Sequence, residues 1–169
     1  EGYRYAMEEN GKVTNFAYRG GLLVSELDAE KNCSKGYVLG NEYVGQSSVS
    51  PLNGNLAEDS YYITDEQGSI RYLLSQDGAV QNTYQYGAFG ERLLTEESTP
   101  NRLRYNAQIE DELSGLYYLR ARYYNPAIGR FTQEDVIYND GLNLYAYCNS
   151  NPVIYCDPSG LTATNPSGG

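Results

Sequence analysis

Glycine turns recur in this chain at a spacing that suits only short antiparallel strands. In residues 61–94, YYITDEQGSIRYLLSQDGAVQNTYQYGAFGERLL, turns fall at Gly68, at Gly78 and across Gly87–Gly90. The glycines accept the positive φ that tight hairpin turns need. The intervals leave strands of about five to eight residues, so the stretch predicts an antiparallel ribbon. Such a ribbon is marginal alone and must roll up or stack to bury one face.

Residues 3–49 repeat the pattern more loosely: YRYAM, a turn at EENG, KVTNFAY, RGG at 19–21, LLVSEL, then KGYVLGNEYVGQ. Residues 46–60 are polar, with Pro51 and Asn53-Gly54, and predict a connecting loop. Residues 96–101 (EESTPN) predict a polar break. The chain has 19 tyrosines, no tryptophan and only 3 phenylalanines. Tyrosine buries a large ring but needs a partner for its hydroxyl, which suits sheet surfaces.

From residue 102 the texture changes. RLRYNAQIEDELSG predicts a short helical or looped excursion. LYYLRARYYNP follows. If extended, it sets Tyr117, Leu119, Ala121 and Tyr123 on one face, with Tyr118, Arg120, Arg122 and Tyr124 on the other. Asn125-Pro126 opens a turn that closes at Gly129. Arginines among tyrosines suit guanidinium stacking or carboxylate pairing.

Several functions are excluded early. Histidine is absent, which removes His-based triads, His general bases and His metal sites. The net charge of −10 argues against binding nucleic acid through its phosphates. No apolar run is long enough to span a membrane, and no metal-ligand cluster or cofactor motif is present. No signal peptide opens the chain, and because Glu1 is not a natural start the chain is expected to be a fragment of something longer. Three cysteines form no complete disulfide framework. Cys148 and Cys156 flank the turn NSNP; buried thiols fit better than a bridge.

The run SGLYYLRARYYNPAIGRFTQED, followed by GLNLYAYCNSNPVIYCDPSGL, resembles the Rhs repeat-associated core. DEQGSIRYLLSQDGAVQNTYQYGAFGE is similar to the YD repeats that precede that core. The resemblance implies a mainly β fold. An antiparallel hairpin ribbon would form part of a hollow shell, closed by a small irregular plug with one or two short helices. It divides the chain into a YD-repeat segment (1–101), a core (102–161) and a short tail (162–169). It implies enclosure of a C-terminal toxin. The partners would be that toxin and the upstream shell repeats, and the isolated segment would self-associate through exposed sheet edge. The setting implied is a larger bacterial protein, secreted or attached to the cell surface. Teneurins use a related shell for adhesion, so a catalytically silent structural or adhesive module is the alternative.

The family's cleaving motif has two Asp-Pro-x-Gly turns. The second is intact as Asp157-Pro158-Ser159-Gly160, followed by Leu161. Asp135 stands 22 positions earlier, the place of the first aspartate, but Val136 replaces its proline and Tyr138 its glycine. Two carboxylates held together suit an aspartic-type reaction, one taking a proton from water and the other giving one to the amide. By resemblance the cut falls between Leu161 and Thr162, releasing residues 162–169. Arg130 is the candidate helper, with Arg120 and Arg122 also near in sequence. The plainer reading is equally open: Asp-Pro-x-Gly is a good type I turn, and Asp135 a cap.

Overall fold

A computed structural model describes residues 3–49, 56–136 and 143–165, and the fold is mainly antiparallel β. The strands β1 (Ala6–Glu9), β2 (Lys12–Arg19), β3 (Leu22–Leu27), β4 (Cys33–Leu39), β5 (Tyr43–Val49), β6 (Leu56–Thr64), β7 (Ile70–Ser75), β8 (Val80–Tyr86) and β9 (Arg92–Glu97) hydrogen-bond in sequence order. A second sheet joins β10 (Ile109–Glu110), β11 (Tyr117–Leu119), β12 (Arg122–Asn125) and β13 (Arg130–Phe131) in the same manner. Among the described residues no helix is long and apolar enough to cross a membrane.

The turns sit where the glycines predict them. Asn10 and Gly11 both have positive φ, the primed geometry that matches strand twist. Three later turns share one construction. The N–H of Gly68, Gly78 and Gly90 donates to the carbonyl three residues back, at 3.0 Å each. Each of these glycines has a φ near +80°, so a side chain there would be strained.

One expected loop is largely strand. β5 continues to Val49 and β6 begins at Leu56, with Ser47 facing Asp59 and Ser48 facing Glu58. The polarity that suggested a loop is satisfied across the strands instead. Ser47 Oγ donates to Asp59, and Ser60 Oγ to Gln81 Oε1 at 2.7 Å. Pro51 and Asn53-Gly54 lie outside the described residues.

The chain forms two compact units. The first, Glu1–Ile63 with Tyr72–Asn82, buries Phe16, Leu23, Tyr37, Tyr43, Tyr62 and Leu73. Its buried tyrosines find partners: Tyr43 bonds both backbone groups of Leu23, and Tyr37 donates to Glu26 Oε1 at 2.6 Å.

The second unit is Thr64–Arg71 with Thr83–Gly169. Its core is Tyr105, Tyr117, Leu119, Tyr124, Phe131, Tyr147 and Cys148. Tyr124 and Tyr147 stack at 4.0 Å, and Phe131 packs edge-on against both. Tyrosine serves better than phenylalanine here because the hydroxyls converge on one turn. Tyr105, Tyr124 and Tyr117 donate to the carbonyls of Ala88, Phe89 and Gly90 in succession. A Cβ on Gly90 would lie 2.6 Å from the Tyr105 ring. Burial raises the hydroxyl pKa of Tyr105, Tyr117, Tyr124 and Tyr147 well above the ordinary value of 10.0.

One expectation needs correction in this unit. LYYLRARYYNP is a hairpin, not one extended strand. Arg120 takes φ +61°, Leu119 pairs with Arg122, and Tyr117 pairs with Tyr124. Tyr117 and Tyr124 therefore stack on the same side, the reverse of simple alternation. The short helices are single turns with left-handed residues inside, at Tyr105–Ala107 and Cys148–Ser150.

Candidate functional site

Asp135 and Asp157 are both buried and both reach Arg122. Arg122 opens β12, and its guanidinium lies 3.7 Å from the centre of the Phe131 ring. Its Nη2 is 2.7 Å from Asp135 Oδ2 and 3.9 Å from Asp157 Oδ2. Nη1 donates to Leu144 O at 3.2 Å, and Nε donates to Gly160 O. One planar fork thus ties together the first aspartate, the second and the backbone just before Leu161.

Asp135 follows β13 on a loop pinned to β12. Thr132 N–H donates to Tyr123 O at 2.8 Å, and Tyr123 N–H donates to the Gln133 side chain at 2.8 Å. Asp135 N–H then donates to Leu144 O at 3.0 Å. These bonds hold the loop without the proline and glycine of the family motif.

Asp157 is held by its own turn. Its Oδ1 accepts the backbone N–H of Ser159 (3.2 Å), Gly160 (2.9 Å), Leu161 (3.2 Å) and Thr162 (3.2 Å). Ser159 Oγ adds a further bond at 3.1 Å. Successive N–H groups aimed at one point form an anion-binding nest, here filled by the chain's own carboxylate. The oxygen is therefore 3.2 Å from the nitrogen of the Leu161–Thr162 peptide.

The Asp157–Gly160 turn docks on the β11–β12 hairpin turn. Arg120 Nη1 donates to Pro158 O at 2.5 Å, and Ala121 N–H donates to Ser159 O at 3.2 Å. Gly160 has φ +74°, and a Cβ there would sit 2.4 Å from Leu119 O and 3.0 Å from Arg122 N. Only glycine fits that approach. A small pocket is lined by Asp135, Asn143, Leu144, Ala146, Cys148, Asn149, Asp157, Leu161 and Ala163.

Arg130 lies elsewhere. It is exposed on β13, and among the described residues no ion pair joins it to either aspartate. Arg122 is the arginine that meets both aspartates, a choice that three arginines within eleven residues left open in the sequence. Cys148 and Cys156 are buried free thiols, and burial pushes Cys148 up to about 12. A second charge cluster, around buried Arg104 and Glu110, had no sequence signal. Arg104 is 2.8 Å from Glu110 and 3.2 Å from Glu97, with Arg92 3.1 Å from Glu110. Its members are scattered over three segments, and only the fold gathers them. Among the described residues no group of side chains is arranged to hold a metal.

Comparison with known proteins agrees with this architecture. Residues 7–153 match the Teneurin YD-shell family. tRNA nuclease WapA of Bacillus subtilis is 39% identical over 170 residues, covering 95% of this chain but 7% of WapA. Double-stranded DNA deaminase toxin A of Burkholderia cenocepacia is 36% identical over 110 residues, 62% of this chain and 8% of that protein. The Tc holotoxin pore of Photorhabdus luminescens contains a chain of like fold. Its TM-score is 0.74 at 24% identity, covering 96% of this chain and 8% of that one. The chain thus spans a small part of each relative's length. With the hairpin ribbon, the tyrosine-rich second sheet and a match over residues 7–153, the chain belongs to the YD-shell family.

Proposed function

We propose that this chain is the closing part of a shell around a toxin on the same polypeptide, and that it cuts itself between Leu161 and Thr162. Shell repeats 1–101, core 102–161 and tail 162–169 are the functional divisions of this reading. The larger protein would be bacterial, and secreted or attached to the cell surface. Enclosure draws support from relatives named as a nuclease and a deaminase toxin.

The observation that carries self-cleavage is the convergence of Asp135 and Asp157 on Arg122, beside a peptide whose nitrogen already bonds Asp157. Water attacks the Leu161 carbonyl carbon while one carboxylate takes its proton. The other, protonated, gives a proton to Thr162 nitrogen, and the C–N bond breaks to leave a Leu161 carboxyl group and a Thr162 amine. Arg122 orients Asp135 and holds Gly160 O, so the peptide is presented without a binding step. The reaction so written needs no cofactor. Intact mass of the purified chain, followed from acid to neutral pH, should show loss of residues 162–169, and Asp157→Asn or Asp135→Asn should stop it. A chain at full length after days refutes the reading. Cutting that persists in Asp157→Asn assigns it to an outside protease.

A silent structural or adhesive module is the second reading. Two observations favour it: Asp157 Oδ1 is engaged by its own turn, and the first motif copy has lost its proline and glycine at Val136 and Tyr138.

A further inference from the structure

Past Thr162, whose N–H bonds Asp157, the chain is docked at Ala163 and Thr164 by contacts that involve neither aspartate. Thr164 and Cys156 form an isolated antiparallel bridge with both backbone bonds made. Thr164 N–H donates to Cys156 O at 2.7 Å, and Cys156 N–H donates to Thr164 O at 2.8 Å. Thr164 Oγ1 also donates to Cys156 O, at 3.3 Å. Ala163, one residue nearer the bond, packs against the buried tyrosine cluster and lines the pocket that holds Asp135 and Asp157. Upstream, the Asp157–Gly160 turn is gripped through Pro158 O and Ser159 O. The Leu161–Thr162 peptide is therefore strung between two fixed points.

We propose that Cys156 and the pocket wall form a downstream subsite that reads Ala163–Thr164 and positions the peptide for cleavage. The inference rests on the self-cleavage reading. The subsite recognises backbone first, as strand pairing does: it requires an N–H at residue 164, which excludes proline, and a small side chain at 163. Two backbone bonds, one hydroxyl and one methyl group hold a severed segment only weakly. The subsite therefore orients the chain before the cut and lets it leave afterwards. Thr164 is a positioning residue, since it touches neither the reacting carbonyl nor the carboxylates.

The test compares Thr164→Pro, which deletes the N–H, with Thr164→Val, which keeps the backbone bridge and loses only the hydroxyl. Two readouts are taken on the full chain: the cleavage rate by intact mass, and hydrogen exchange at the Cys156 amide. Thr164→Pro should cut at least about tenfold more slowly and lose protection at Cys156, while Thr164→Val stays within about threefold of the parent. Equal rates in Thr164→Pro and the parent overturn the proposal. A parent that never cuts refutes self-cleavage and the positioning role with it. Protection at Cys156 would then show that the docking exists without that role, and an unprotected amide would refute the docking as well.

Discussion

Arg122 is the residue whose removal should cost this fold most. Its side chain is 5% exposed, and the carboxylates it meets on Asp135 and Asp157 are 9% and 3% exposed. It also donates to the carbonyls of Leu144 and Gly160. Arg122→Met keeps the stem and its packing near Phe131 but takes the cation away from two buried carboxylates and one hydrogen bond away from each of two carbonyls. Breaking a buried pair by removing one partner costs about 3–5 kcal/mol. In a chain of this size that lowers Tm by about 6–20 °C. Thermal and urea unfolding followed by tyrosine fluorescence and far-ultraviolet circular dichroism would measure it. Adding Asp135→Asn and Asp157→Asn to Arg122→Met removes the stranded charges and should recover more than half of the loss. If Arg122→Met lies within about 1 kcal/mol of the parent, or the triple variant is no more stable than the single one, the arginine does not hold this site together.

Other consequences follow from named contacts. Gly160→Ala forces a side chain into a left-handed position against Leu119 O; it should destabilise by at least about 2 kcal/mol and also abolish any cut after Leu161. The buried tyrosines carry pKa values raised above 10.0, so the stability they contribute is fully present below pH 10.0 and is lost as pH rises through their folded values. In an alkaline titration, part of the tyrosinate absorbance change should therefore arrive only with unfolding. Absorbance that completes while circular dichroism stays native would contradict that core. Of the three thiols, exposed Cys33 should react at once with a disulfide reagent, and Cys148 and Cys156 only after denaturation. Three fast thiols in the folded chain would show the second unit to be loosely packed.

The hairpin ribbon was legible because its turns are chemically marked. Gly68, Gly78 and Gly90 each occupy a position that demands positive φ, and glycine announces such positions in any sequence. The turn inside LYYLRARYYNP carries no such mark, since Arg120 takes positive φ with an ordinary side chain. That backbone is held from outside by Pro158 O and Ser159 O, contacts made 38 residues away in sequence. The misjudged loop at 46–60 has a related cause. Its polar residues are satisfied by partners on neighbouring strands, which composition cannot see.

At the site, the sequence by itself determined that the aspartates stand 22 positions apart, and that the second heads an Asp-Pro-Ser-Gly turn. Tertiary structure decided that both are buried, that they meet at one guanidinium, and that the guanidinium belongs to Arg122, not Arg130. The physical reason is the unmarked hairpin. By folding back at Arg120 it turns Arg122 toward Phe131 and both aspartates, whereas an extended strand would have placed it by alternation alone. Motif spacing can name the two acids. Only packed backbone, with its carbonyls and N–H groups already committed, selects the cation that joins them.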